Sequence, residues 1–398
     1  MSETVKAQEK PRMTGSVYGL ILCIVIGFLF YFGLTALSGT NQALDYGNII
    51  DGILSSVPKQ IAWFFMNFTE AQFYASLFAG IGLIIGGVVA WILALKNSRF
   101  AGFDICYGSS TMFPWVLSSQ VLSLALAIFV FGYMEGFSDP EVTWIATFIT
   151  VVGAPPAVML LYGPSVPALL TASILGGLIC APTAIWIGNS IVTPWNLPGV
   201  VANVTTMAVT GILVCMVCKI LPWVKKVPVK PHRTANAREE DVYSTVWFVR
   251  RVLADFTEAP FYGNEVAAVF LLLGVTVNTI LCGSHGAYGS GAVPAIILSQ
   301  FVGASVGVFL YAHKFDKGGW YATYVPVVSV GPACVLMFGA TIPVAVFAGV
   351  LGGILGGPAA QFFAEKLPED VHVTVANVTS MAICTATTAV VMSALPWF

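Results

Sequence analysis

Apolar residues in this chain gather into long runs separated by short polar stretches. A helix rises about 1.5 Å per residue, so a hydrocarbon core of about 30 Å asks for roughly 20 apolar residues. Eleven runs approach that length, at 15–37, 75–95, 109–133, 144–163, 167–188, 199–221, 263–282, 291–312, 320–338, 342–362 and 372–394. The pattern predicts an all-α polytopic membrane protein with about 11 transmembrane helices. The run 15–37 follows Lys6, Lys10 and Arg12, as a signal peptide would, but no small-x-small cleavage site follows it, and it reads as a retained helix. Two flanking segments are less hydrophobic: 47–67, interrupted by Pro58 and Lys59, and 241–256, with Arg250 and Arg251. Both read as amphipathic helices on the membrane surface.

The runs are duplicated. Ala202-Asn203-Val204-Thr205-Thr206-Met207-Ala208 returns as Ala376-Asn377-Val378-Thr379-Ser380-Met381-Ala382, and each copy leads to Leu-Pro-Trp. Pro156, Gly163 and Pro167 match Pro332, Gly339 and Pro343. Tyr107-Gly108-Ser109 with Pro114 and Ser119-Gln120 matches Tyr288-Gly289-Ser290 with Pro294 and Ser299-Gln300. Phe68-Thr69-Glu70-Ala71 matches Phe256-Thr257-Glu258-Ala259. Each unit holds five spans, an odd number, so the second copy enters the membrane from the opposite face. The expected plan is a tail at 1–14, an extra helix at 15–37, repeat A at 47–224, a basic linker at 225–240 and an inverted repeat B at 241–398. Such halves place a site near the midplane where they meet. In span plan alone, five plus five inverted helices resemble the urea-transporter and amino-acid/sodium-symporter families, and no functional residue is carried over from either.

Charge orients the chain. With the N-terminus cytoplasmic, every Lys and Arg except Lys59 falls in a cytoplasmic segment or an adjoining helix end. The surroundings implied are the lipid bilayer of the cell inner membrane. A net charge of −2 gives no reason to expect a nucleic-acid partner. Most cysteines lie in apolar runs, and Cys215-x-x-Cys218 reads as small packing residues rather than redox chemistry.

Three groups of residues carry candidate chemistry. Pro155-Pro156 and Gly331-Pro332 interrupt the fourth and ninth spans at matching depth, where a proline removes a backbone hydrogen bond that lipid cannot replace. The segments 103–114 and 284–294 are polar and glycine-rich, with Asp104, Tyr107 and Ser109 in one and His285, Tyr288 and Ser290 in the other. Each reads as a re-entrant loop feeding a helix N-terminus, or as an ordinary loop and cap; Gln120 and Gln300 lie a turn or more deeper. Last, Asn203 with Thr206 and Asn377 with Ser380 share helix faces; with Thr205 and Thr379 their oxygens suit a polar solute or Na⁺, or interhelical hydrogen bonding.

No Asp, Glu, Lys or Arg sits in the centre of a clear span, and there is no Walker motif, metal-ligand cluster or nucleophile-base pattern. An enzyme is not expected. The expectation is a secondary transporter (permease) that moves a small polar solute by alternating access, coupled to Na⁺ and without other cofactor, as a monomer or homo-oligomer. The alternatives are a passive channel for an uncharged solute and a membrane subunit of a larger ion-pumping or enzyme complex.

Overall fold

The computed structural model describes residues 13–37, 44–106, 109–229, 241–282, 286–315 and 320–398. Among these residues the regular structure is entirely helical: α1 (Val17–Ala36), α2 (Tyr46–Ile50), α3 (Val57–Met66), α4 (Leu77–Leu95), α5 (Phe113–Ala125), α6 (Ile149–Val152), α7 (Ala154–Tyr162), α8 (Val166–Ile187), α9 (Val200–Ile220), α10 (Thr245–Asp255), α11 (Glu265–Cys282), α12 (Val293–Tyr311), α13 (Val330–Phe338), α14 (Ile342–Ala364) and α15 (Thr374–Ser393). Nine of the described helices are long and apolar enough to cross a membrane, which makes the chain a multi-pass membrane protein.

The fourth and ninth expected spans are not continuous helices. Around 144–163 the chain forms α6, breaks at Gly153 (φ −105°, ψ −130°) and resumes as α7, with Pro155 in its first turn. Around 320–338 it makes a short 3₁₀ turn at Val325–Val328, breaks at Ser329 (φ −149°, ψ −82°) and resumes as α13. These prolines do not kink a helix. They begin one, where a missing N–H costs little. Both resumed helices end on a left-handed glycine, Gly163 (φ +81°) and Gly339 (φ +108°). Ser165 and Thr341 then cap the next helices by accepting from the N–H of Ala168 and Val344.

Two further breaks were not foreseen. The segments expected on the membrane surface contain α2, α3 and α10, and the C-terminal turns of the last two are buried: Trp63 and Met66 in α3, Val252 and Asp255 in α10. Each runs into a buried turn before the next long helix, 67–76 and 256–264. Phe73 (φ +64°), Ala75 (φ +44°) and Phe261 (φ +68°) occupy left-handed backbone there. Side chains rarely adopt that region without outside support.

Small residues bring the long helices together. On Gly86 of α4 a side chain would come within 2.9 Å of Ala267 Cα in α11, and Gly82 faces Phe270 and Gly274 of the same helix. Rising positions on one helix meet falling positions on the other, so α4 and α11 run antiparallel. So do α9 and α15, where Gly211 meets Val375 while Val201 and Ala202 cluster with Ala382 and Ala386. Helix α1 leans on the second stretch, with Ser16 bonded to Thr245 at 2.9 Å and Gly27 against Phe301.

Candidate functional site

The four breaks meet around one cavity. It holds about 30 Å³ of space for water and is lined by Ala71 and Ala259, Phe148 and Tyr324, Val152 and Val328, Val200 and Thr374, Val204 and Val378, and Met207 and Met381. Each pair occupies corresponding positions of the two sequence copies. Glu70, Phe73, Asn203 and Tyr288 complete the wall. Phe73, Val200, Asn203 and Tyr288 also border a wider space of about 370 Å³, which continues between residues 196–199, Trp144 and Ala333–Met337. At the position corresponding to Asn196 stands Asp370, whose carboxylate accepts from Lys219 at 2.6 Å and Lys226 at 3.3 Å. These two bonds hold the Asp370 carboxyl below the usual carboxylate range and tie the end of α9 to the loop before α15.

Each break is held by a glutamine that ties the interrupted span of its own sequence copy to the turn of the other. Gln120 of α5 donates to Val151 O and Pro260 O, both at 2.9 Å, and accepts from the Tyr262 hydroxyl at 3.1 Å. Gln300 of α12 donates to Val327 O at 2.8 Å and Gln72 O at 3.1 Å, and accepts from the Tyr74 hydroxyl at 2.6 Å. The two sets correspond residue for residue. The backbone groups freed by breaking the helices are therefore satisfied inside the protein, as a bilayer requires. Both amide N–H groups of each glutamine are occupied by carbonyls, so Gln120 and Gln300 brace the breaks.

The other expected site residues divide. Asn203 and Tyr288 line the cavity, with the Tyr288 hydroxyl 3.5 Å from Glu70 O. Thr206 and Asn377 are buried nearby on α9 and α15, and the Thr206 hydroxyl and the Asn377 amide nitrogen have no hydrogen-bond partner among the described residues. Thr205 is half-buried. Thr379 and Ser380 donate to carbonyls of their own helix, at 2.7 and 2.6 Å. Ser109 bonds Thr111 at 2.7 Å, Ser290 is exposed and accepts from Ala292 N–H, Asp104 is exposed, and none of the three lines either space. Tyr107 and His285 lie outside the described residues, as do 1–12 of the expected tail and 230–240 of the expected linker.

The sequence reading missed the buried charges. Glu70, Arg251, Asp255 and Glu258 are all under one-tenth exposed. Arg251 bridges Asp255 at 2.5 Å and Glu258, Thr323 donates to Asp255 at 3.0 Å, and Trp320 donates to Glu258 at 3.2 Å. Phe-Thr-Glu-Ala had been used only to measure the repeat, although a glutamate kept in both copies was the available signal. Hydroxyls and amides around the cavity can hold a small polar solute or water, and the carboxylates can hold a positive charge.

If Asn203 and Asn377 serve a solute rather than the fold, Asn→Ala at either should cost about 0.6 kcal/mol of stability, the average for one hydrogen bond inside a membrane. Unfolding in detergent measures this, and a loss of several times that size in both variants would make them structural.

A scan against protein-family models finds no match for this sequence, and a search of curated proteins finds none.

Proposed function

We propose that the chain is a secondary carrier of the cell inner membrane. Its two sequence-related halves, 47–224 and 241–398, stand inverted to each other and move a small polar solute by alternating access, driven by an ion gradient. The observation that carries this reading is the cavity whose walls are built from corresponding residues of both copies. A site where related halves meet, framed by broken helices, is the arrangement that lets one half rock against the other. The antiparallel pairing of α4 with α11 and of α9 with α15 supports the inversion. The wide space beside residues 196–199, against the Lys219–Asp370–Lys226 tie at the corresponding place, supports a state open to one face.

Cysteine labelling tests the reading without knowledge of the solute. All eight native cysteines are buried and unpaired, so background labelling is low. Leu336→Cys lines the wide space, and Leu160→Cys is its counterpart. A membrane-impermeant thiol reagent should reach Leu336→Cys from outside and Leu160→Cys from the cytoplasm. Cross-linking Lys226→Cys to Asp370→Cys should abolish labelling of the second and raise that of the first. Reagent added on one side that modifies both positions, cross-link or not, would replace the carrier with an open channel.

A further inference from the structure

Glu70 and Glu258 occupy the same place in the two copies, and each accepts from a tryptophan indole: Trp144 at 2.6 Å and Trp320 at 3.2 Å. Their electrostatic settings differ. Seven residues before Glu258 stands Arg251, which bridges it to Asp255. Seven residues before Glu70 stands Trp63, fully buried, its indole N–H without a partner among the described residues. The counterpart of Asp255 is Asn67, a neutral amide that donates to Trp63 O and accepts from the Thr147 hydroxyl at 2.7 Å. Among the described residues no ion pair reaches Glu70, which is 1% exposed, and its Oε1 accepts no hydrogen bond.

Glu70 also lines the central cavity. A carboxylate placed there without a cation is costly, so the site must take up positive charge or be neutralised. A sodium ion exchanges its water for several oxygens. The side-chain groups that reach Glu70 are instead donors and rings. The Trp144 N–H bonds its Oε2, the Tyr288 hydroxyl lies 3.5 Å from its backbone carbonyl, and Ala71, Phe73, Phe148 and Val152 line the same cavity. The titratable groups facing it among the described residues are phenols: Tyr46 of α2 stacked edge-on against Tyr288, and Tyr324 across the cavity. About 30 Å³ of free space admits on the order of two waters. A proton can therefore reach a group that a hydrated cation cannot.

We propose that Glu70 is a proton-binding site of the central cavity, and that H⁺ rather than Na⁺ is the ion linked to its opening. The linkage rests on the carrier reading above. The proton passes between cavity water and Oε1, and the side chain alternates between neutral acid and carboxylate. At the corresponding place Arg251 gives Asp255 and Glu258 a permanent positive partner, which Glu70 lacks among the described residues.

Two measurements on the full chain in lipid test this. Infrared spectra at neutral pH should show a buried carboxylic-acid band that Glu70→Gln removes; Gln mimics the neutral acid and keeps an acceptor for the Trp144 N–H. A band unchanged in the variant, or a band of Glu70 that Na⁺ removes and choline does not, would overturn the proposal. Second, the ratio of Leu336→Cys to Leu160→Cys labelling should change with pH by up to about tenfold per unit, the limit for one linked proton. Compared with the same pair on Glu70→Gln, that change should vanish. A ratio with the same pH dependence in both backgrounds would overturn the linkage while leaving side-specific labelling, and with it the carrier, intact.

Discussion

Replacing Gln300 by Leu should destabilise the folded chain by about 3–9 kcal/mol, since three buried polar groups lose their partner at about 1–3 kcal/mol each. The groups are Gln72 O, Val327 O and the Tyr74 hydroxyl. Leucine fills similar volume, so the loss comes from hydrogen bonds rather than from a hole. Water offers little relief, because Gln300 is completely buried and the cavity wall does not include it. Gln120→Leu should behave alike, as it strands Val151 O, Pro260 O and the Tyr262 hydroxyl. Unfolding in detergent, followed by tryptophan fluorescence or by loss of monodisperse protein on heating, reads the effect. Variants that unfold with the parent chain would mean that the breaks hold themselves and the glutamines are free for a ligand.

Arg251→Met should cost about 3–5 kcal/mol, the usual penalty for removing one partner from a buried ion pair. Two carboxylates would remain beside each other, Asp255 at 0% and Glu258 at 3% exposure, with Thr323 and Trp320 as the side-chain donors among the described residues. The guanidinium also lies over the Phe315 ring, 5.3 Å from its centre, and methionine keeps part of that contact. The diagnostic is the triple variant Arg251→Met with Asp255→Asn and Glu258→Gln. It carries no stranded charge and should recover most of the stability. A triple variant as weak as the single one would place the role of Arg251 in packing instead.

The long helices were legible because lipid imposes a length and a hydrophobicity that composition records directly. Gly153, Pro155 and Gly331 announced an interruption, but a kink and a complete break share that signature until the backbone is seen. The turns at 67–76 and 256–264 carry no such signal. Phe73, Ala75 and Phe261 are poor turn formers, and what supports their backbone lies far away in sequence: Gln120 is 140 residues from Pro260, and Gln300 is 228 from Gln72. For the same reason the glutamines were legible as deep polar residues while their partners were not. The buried charges escaped notice because they sit beside the apolar runs and not within them. Asn203 and Tyr288 were found because each belongs to a motif kept in both copies and also faces the shared cavity.

The glutamine clamps also bear on how the chain is made. Gln120 enters the membrane long before Pro260 and Tyr262 have been synthesised, 140 and 142 residues later. At about 5–20 residues per second the wait is roughly 7–30 s. During that interval the amide of Gln120 and the carbonyl of Val151 can satisfy each other only in part, and the turn at 67–76 lacks Gln300 altogether. The newborn first half must therefore rest against water, the insertion machinery or a temporary internal pairing. Its final shape arrives only when the second half slides in beside it.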